Sequence, residues 1–494
     1  MLTVIIQSFV KEIKIKYSNL EKELKEKLDL SVIEKEITKI VNKLVGELIE
    51  ELLNNLFMDV DFWKKLKKLG GHFALKYKEY RDVKLRLWNG ETITVSTPYF
   101  LKALPKRKVE KSRRSGSYLG LEVLGVIEHC SPNLISDVVE MALLCPSFEV
   151  SREVLSRRGI EMDEKTIRNL CKVLGIKGIA ERGEISLNGS EDFTRKTLVI
   201  GIDGGRLRLR GKKKEEVKKE GQKREGFTTD WREPKLFTFY LLDEKGEIDK
   251  EFIPIHDATM GNYKEMFVLL EKYLKVLNLE TVSRIVFCGD GDDTIWLNVE
   301  ELLNKINVPS EKIFQVLDYS HAKQNLYEII KLVSKDKRSD SEKEFKELLW
   351  KGNISGIEEL IHKLISSKKN RGQALKKWRN YFQTNEKRMQ YESFKKSFIP
   401  CGSGHVESAI RRVINLRLKA PGTFWTKEMA ECFLFLRSQL ISGRWDIFIK
   451  NITQMKRKVL LPQCQSGVPL MNKKETHILD FNIYNKEETL PNAA

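Results

Sequence analysis

The chain has 494 residues, with 88 Lys and Arg against 70 Asp and Glu, a formal net charge of +18. That length allows two to four domains with cores of their own, and 41% hydrophobic residues with 8 Trp exclude a wholly disordered chain. No apolar run approaches the roughly 18 residues of a membrane-spanning helix, and the cation excess asks for a polyanionic partner, with Lys/Glu-rich thermal adaptation as the competing explanation.

Residues 1–104 read as a helical N-terminal region with a small hairpin. Leu20, Leu24, Leu28, Val32, Ile33 and Ile37 recur at three- and four-residue steps, and Ile40 to Leu53 continue the stripe. Either a coiled coil or a helical bundle fits. The start, MLTVIIQSFV, lacks a preceding basic region and a cleavage site, so it is a poor signal peptide. From Val83 to Val95 the period shifts to two around Asn89-Gly90, a hairpin signal. Residues 105–117, PKRKVEKSRRSGS, form a basic linker.

Residues 118–190 read as a trihelical unit. Ser131-Pro132 starts a helix to Leu144, a second runs from Phe148 to Arg157, and Asp163 caps a third that stops at Gly175. Lys165, Thr166, Arg168, Asn169 and Lys172 on the third helix fit the helix-turn-helix pattern of DNA binding. A connector with a solvated basic face is the plainer reading. Residues 191–321 bring strand candidates at 198–203, 206–210, 235–242, 248–255, 284–289 and 313–317, with helices near 262–279 and 294–306. This order suggests a mixed sheet with helices. Residues 322–398 are helical and Lys/Arg-rich, with Lys376, Lys377 and Arg379 between aromatics, a pattern for phosphate contact. Residues 399–450 return to apolar helices, and 451–494 form a tail. Seven cysteines without a C-x-x-C pair read as buried thiols in a reducing cytosol.

The carboxylates carry the chemistry. Asp203 ends one apolar strand, although Asp-Gly there also fits a hairpin turn. Asp290 ends another, followed by Gly291, Asp292 and Asp293, with Asp293 as the expected N-cap of the next helix. Asp318 ends a third and precedes Tyr319-Ser320-His321. Glu407 lies in CGSGHVESAIRRV, four residues before Arg411. Two acids at separate strand ends and a Glu on a later helix form a cluster that divalent cations stabilise. Two Mg²⁺ in such a cluster support phosphoryl transfer.

The runs IGIDGGRLRLR, FCGDGDDTIW, LDYSHAKQNL, CGSGHVESAIRRVINLRLKAPGTFW and LRSQLISGRW resemble bacterial insertion-sequence DDE transposases, closest to an ISKra-like, Mutator-related group. The resemblance covers roughly 120–450. It implies a mixed, multidomain architecture: an α-helical DNA-binding front and an α/β RNase H-like core interrupted by an all-α insertion. It implies Asp203, Asp290 and Glu407 as catalytic and metal-binding residues for two Mg²⁺, with Mn²⁺ as a substitute. Asp318 and His321 match the motif beside that site. The GDGDD run departs from the usual form, so Asp292 competes for a share of the metal. Arg411, Arg412, Arg417 and Lys419 would grip DNA flanking the scissile phosphate. The expected partners are double-stranded DNA, both transposon ends and target, and a second copy of the chain; the expected location is cytoplasmic, at the bacterial nucleoid. A cutting enzyme that does not join DNA and a non-catalytic domesticated DNA-binding protein are the alternatives.

Overall fold

The structure is a computed structural model that describes residues 2–102, 116–182, 193–213, 226–277, 279–306 and 308–460. Most of the 105–117 linker, residues 214–225 and the expected 451–494 tail from 461 onward lie outside the described residues, whereas 451–460 are not tail but the end of the last helix, Trp445–Leu460, with Ile452 buried in the core.

The front begins with two long helices, α1 (Leu2–Lys27) and α2 (Leu30–Met58), and a shorter α3 (Val60–His72). Asp29 caps α2 by accepting from Ser31 N–H, and Asp59 caps α3 by accepting from Phe62 N–H. Strands β1 (Leu75–Arg86) and β2 (Thr92–Lys102) form an antiparallel hairpin, and β3 (Gly116–Ser117) pairs with β2. Gly90 turns the hairpin at φ +88°, a left-handed value that favours glycine. The ladder is longer than its alternating stretch because its far end carries mostly half-exposed and exposed residues.

Helices α4 (Leu119–Val123), α5 (Pro132–Leu144), α6 (Phe148–Arg157) and α7 (Glu164–Ala180) follow. Ser131, Ser147 and Asp163 accept the cap hydrogen bonds of the last three. The third expected helix does not stop at Gly175. A Cβ there would fall 2.6 Å from Cys432 Cβ, so this glycine serves close helix packing rather than termination.

The strands of the centre are β4 (Thr197–Gly204), β5 (Leu207–Lys213), β6 (Phe227–Arg232), β7 (Lys235–Leu242), β8 (Ile255–Thr259), β9 (Arg284–Gly289) and β10 (Ile313–Leu317). Five of them form one mixed sheet in the order β10-β9-β4-β7-β8. β7 is antiparallel to both β4 and β8, while β9 is parallel to β4 and β10 parallel to β9. Helix α8 (Tyr263–Val276) crosses from β8 to β9, and α9 (Asp293–Leu303) from β9 to β10. β5 and β6 pair with each other as a ribbon, which Leu209 of β5 ties to Trp425 by a single bridge. Asp203-Gly204 therefore does not turn a hairpin, because β4 and β5 lie in different sheets. The strand expected at 248–255 is replaced by one bridge, Ile248 to Leu242, and pairing resumes at Ile255. Asp292, not Asp293, caps α9 by accepting from Thr294 N–H.

Between β10 and the last part of the chain stand α10 (Tyr319–Ile330), α11 (Lys335–Trp350), α12 (Ile354–Leu364), α13 (Lys368–Lys377), a π-helical turn at Trp378–Gln383, and α14 (Tyr391–Lys396). Then come α15 (Gly404–Ile410), a second π-helical turn at Arg411–Asn415, α16 (Leu416–Leu418), α17 (Lys427–Ile441) and α18 (Trp445–Leu460). One apolar cluster joins the sheet to α8, α9 and the inserted helices. A second joins α5–α7 to α15–α18, and a third holds the front. Trp425 and Trp445 are core residues, each 5% exposed. The six described cysteines are free thiols; Cys464 lies outside the described residues. Among the described residues no helix is long and apolar enough to cross a membrane.

Candidate active site

The sheet register brings the two aspartates together. Gly201 of β4 pairs with Cys288 of β9, so Asp203 and Asp290 each lie two residues further along parallel chains. Glu407 sits in the first turn of α15, which packs on β4. A Cβ at Gly201 would fall 3.0 Å from Val406 Cβ, so this helix approaches the central strand over a glycine. Gly291, just past Asp290, is covered by the ring of Tyr381 from the first π-helical turn. The inserted helices thus reach the rim of the site.

Asp318 is the fixed point. It is 1% exposed and accepts from His321 N–H at 2.8 Å and from Ser403 N–H at 2.5 Å. His321 Nδ1 stands 3.3 Å from the same carboxylate. Ser403 Oγ in turn donates to Glu407 Oε1 at 3.0 Å. The acid at the end of β10 therefore holds both the histidine and the loop that aims Glu407. Asp290 accepts from Asp292 N–H at 2.9 Å, and its carbonyl accepts from Trp296 Nε1 at 2.9 Å. Asp292 is exposed and its carboxylate is spent on the α9 cap.

Electrostatics tie these groups into one field. Burial pushes the Asp203 carboxyl up to about 6; the Gly204 N–H opposes this, and the Asp290 and Glu407 carboxylates add to it. Burial alone would also raise Asp318, but hydrogen bonds from His321 and Ser403 outweigh it and hold that carboxyl at about 2. The bond to Asp318 raises His321, with Asp203 and Asp290 contributing. No described Lys or Arg pairs with Asp203, Asp290 or Glu407; the neighbouring pairs are Lys235–Glu233 at 2.7 Å and His321–Asp318. Among the described residues no three His, Cys, Asp or Glu side chains are gathered closely enough to hold a metal ion as they stand. The donor chemistry, carboxylate oxygens with Asp203 raised by burial and by its acidic neighbours, still fits a hard divalent cation such as Mg²⁺ or Mn²⁺.

No protein-family model matches this chain, and no curated protein matches its sequence. The remaining site residues are placed by geometry alone. Lys165, Arg168 and Asn169 are exposed on α7, whereas Thr166 Oγ1 donates to Asp163 at 2.8 Å within the helix cap and Lys172 pairs with Glu428 at 2.8 Å. Lys376 and Arg379 are exposed and Lys377 is half-buried beside the π-helical turn. Arg411 and Lys419 are exposed, and one Arg412 nitrogen lies 3.4 Å from His256 Nε2. Arg417 departs from its expected role at DNA. It is 2% exposed, donates to Ala142 O at 3.1 Å and lies over the rings of Phe148, Trp425 and Phe433. Its place in the helical run after Glu407 made it look like its neighbours; the turn of the helix sends it inward.

Several residues at the site went unread in the sequence. Tyr263 opens α8 near Asp203, Asp290 and Asp292, with Lys235 Nζ 3.9 Å from its ring centre. Ser403 and Tyr381 complete the rim. The ribbon beyond Asp203 has an arginine face: Leu207 and Leu209 turn into the core, so Arg206, Arg208 and Arg210 turn out. Arg208 pairs across the ribbon with Trp231, which is 51% exposed, and lies 4.9 Å from the Phe424 ring centre. The alternation of RLRLR was the available signal for this face.

Proposed function

We propose that this protein is a DNA transposase with an RNase H-like core. The observation that carries the reading is the placement of three carboxylates from three separate elements at one end of a sheet. The sheet order supports it: an antiparallel meander, β4-β7-β8, followed by two strands added on the other side parallel to the first. An all-helical segment standing between β10 and the Glu407 helix supports it too.

Asp203, Asp290 and Glu407 would hold two Mg²⁺. When bound, these ions would activate a water or a 3′-hydroxyl for in-line attack on a phosphodiester and stabilise the leaving oxygen. The chain's own part is positional. Asp318 fixes Ser403, and Ser403 orients Glu407. His321, drawn toward its protonated form by Asp318, places a positive donor beside a substrate phosphate. The outward arginines of the ribbon and the basic residues of α7 would hold DNA on either side of that point. No covalent enzyme intermediate enters, so no nucleophilic Ser, Cys or Tyr is assigned.

The test uses labelled duplexes carrying the DNA that flanks the gene, incubated with the purified chain and Mg²⁺. Cleavage at the element's ends followed by joining to a second duplex is the expected result. Substituting Ala for Asp203, Asp290 or Glu407 should lower both by about a hundredfold or more. Cleavage without joining would favour a nuclease, and activity unchanged by all three substitutions would remove the site assignment.

A further inference from the structure

Strand β10 stands at the edge of the five-stranded sheet, and part of the inserted helical segment folds back along its free side. It closes on the strand at one end, where the buried Tyr391 donates its OH to Leu317 O at 3.0 Å. At the other end an open cavity of about 500 Å³ remains between Ile313–Gln315 and residues 383–388. That volume suits a small molecule. Ile313, Phe314 and Phe394 give the cavity an apolar wall.

Arg388 supplies the polar end. Its Nε donates to Gln315 Oε1 at 2.8 Å and its Nη1 to Asn385 Oδ1 at 2.9 Å, both neutral acceptors. Its guanidinium lies 4.6 Å from the ring centre of the buried Trp296. Among the described residues Nη2 meets no acceptor and no carboxylate pairs with Arg388. Burial lowers the Arg388 pKa, and Glu300 and Asp293 oppose this without pairing. Lys387 adds a second cation at the cavity. Glu300 and Glu386 line it too, but both are exposed, where water screens them, and Glu300 Oε1 already accepts from Gln315 Nε2 at 2.6 Å. A guanidinium fixed by two amides and backed by an aromatic ring, with its Nη2 donors still unspent, is preorganised for an oxyanion. We propose that this cavity binds a small organic anion, a carboxylate or phosphate on a flat apolar body, with the oxyanion on Arg388 and the body against Phe314 and Phe394. Trp296 links the cavity to the end of β9, because its ring carries Arg388 and its Nε1 donates to Asp290 O at 2.9 Å. The inference rests on the cavity and does not depend on the transposase reading.

The test is isothermal titration of the full-length chain, at about 0.15 M salt, with phenyl phosphate, phenylacetate, the neutral phenylacetamide and inorganic phosphate. At least one of the two aromatic anions should bind with a Kd of about 1 mM or tighter, and the tighter of them identifies the head group. Phenylacetamide and inorganic phosphate should each bind about tenfold more weakly or worse, because one lacks the charge and the other the apolar body. R388M should weaken the tighter probe by about tenfold or more. K387E alters only an exposed side chain, so it tests the site without a folding defect, and it should weaken the same probe by about threefold. Absence of binding by both aromatic anions, equal binding of phenylacetamide or inorganic phosphate, binding indifferent to R388M or to K387E, or displacement of the probe by a short DNA duplex would each overturn the inference.

Discussion

Two groups of carboxylates lie on this sheet, and they have opposite fates. On edge strand β8, Asp257 is fully buried and accepts a two-pronged bond from Arg182, with the Nε bond at 2.8 Å. Tyr273 OH donates to the same carboxylate at 2.9 Å, and Arg182 also reaches Glu431 at 2.7 Å. Burial would lower the Arg182 pKa, but the Asp257 carboxylate outweighs it and holds the guanidinium charged. At the strand ends, Asp203, Asp290 and Glu407 share a field without an arginine. The first group is complete within the chain. The second has no described Lys or Arg partner, and burial, with Asp290 and Glu407 beside it, raises the Asp203 pKa. Satisfied buried charge marks a structural clasp; unsatisfied charge marks a place where something else binds.

This contrast can be broken most forcefully at the clasp. R182M strips the buried Asp257 and the half-buried Glu431 of their shared partner and should cost about 3–5 kcal/mol in denaturant unfolding. The opposite is expected at the strand ends. Asp203 has a folded pKa above the unfolded value of 3.8, so its favourable contribution is present below about pH 4 and is lost as pH rises through about 6. D203N removes that loss and should be more stable than the parent by about 2 kcal/mol at pH 7.5, with the gap closing below pH 4. Mg²⁺ should raise the Tm of the parent and not that of D203N, measured in thermal melts with and without chelator.

Asp318 sharpens the comparison, because it belongs to the site yet behaves like the clasp. Its folded pKa of about 2 lies below 3.8, so its stabilisation is present above about pH 4 and is lost as pH falls through 2. D318N should therefore cost about 2 kcal/mol at pH 7, a difference that vanishes near pH 2. The smallest effect is expected on the ribbon. W231A should leave unfolding unchanged and weaken single-stranded DNA binding by about tenfold in a titration. R206A/R210A should lower the salt dependence of binding by about two charges.

The elements that declared themselves in the sequence are those whose burial is one-sided or complete. Helices α5 and α6 were legible to the residue, the first because Ser131 and Pro132 mark its start. The buried strands β7, β9 and β10 were legible as short apolar runs. β6 was not, because FTTDWR carries no alternating apolar face. Helix α7 was cut short because glycine reads alike as a stop and as a packing contact. Asp203 and Asp290 were visible at their strand ends; their clustering with Glu407 was expected from the three taken together and from the family resemblance, since strand order itself is not encoded in any local pattern. Arg417 was misplaced because charge predicts exposure, whereas three aromatic rings and a backbone carbonyl receive it in the core.

The shared core of α5–α7 and α15–α18 bears on how this chain can be taken apart. Arg437, 3% exposed, donates to Val413 O at 2.7 Å and to Leu143 O, so it stitches the end of α5 to the turn that follows Glu407. Arg417 makes a second stitch at Ala142. Residues 118–182 are therefore not a detachable reader on a tether. Grafting a foreign DNA-binding module in their place would uncover the underside of the Glu407 helix, and retargeting would have to be done by rewriting the exposed positions of α7 within the existing scaffold.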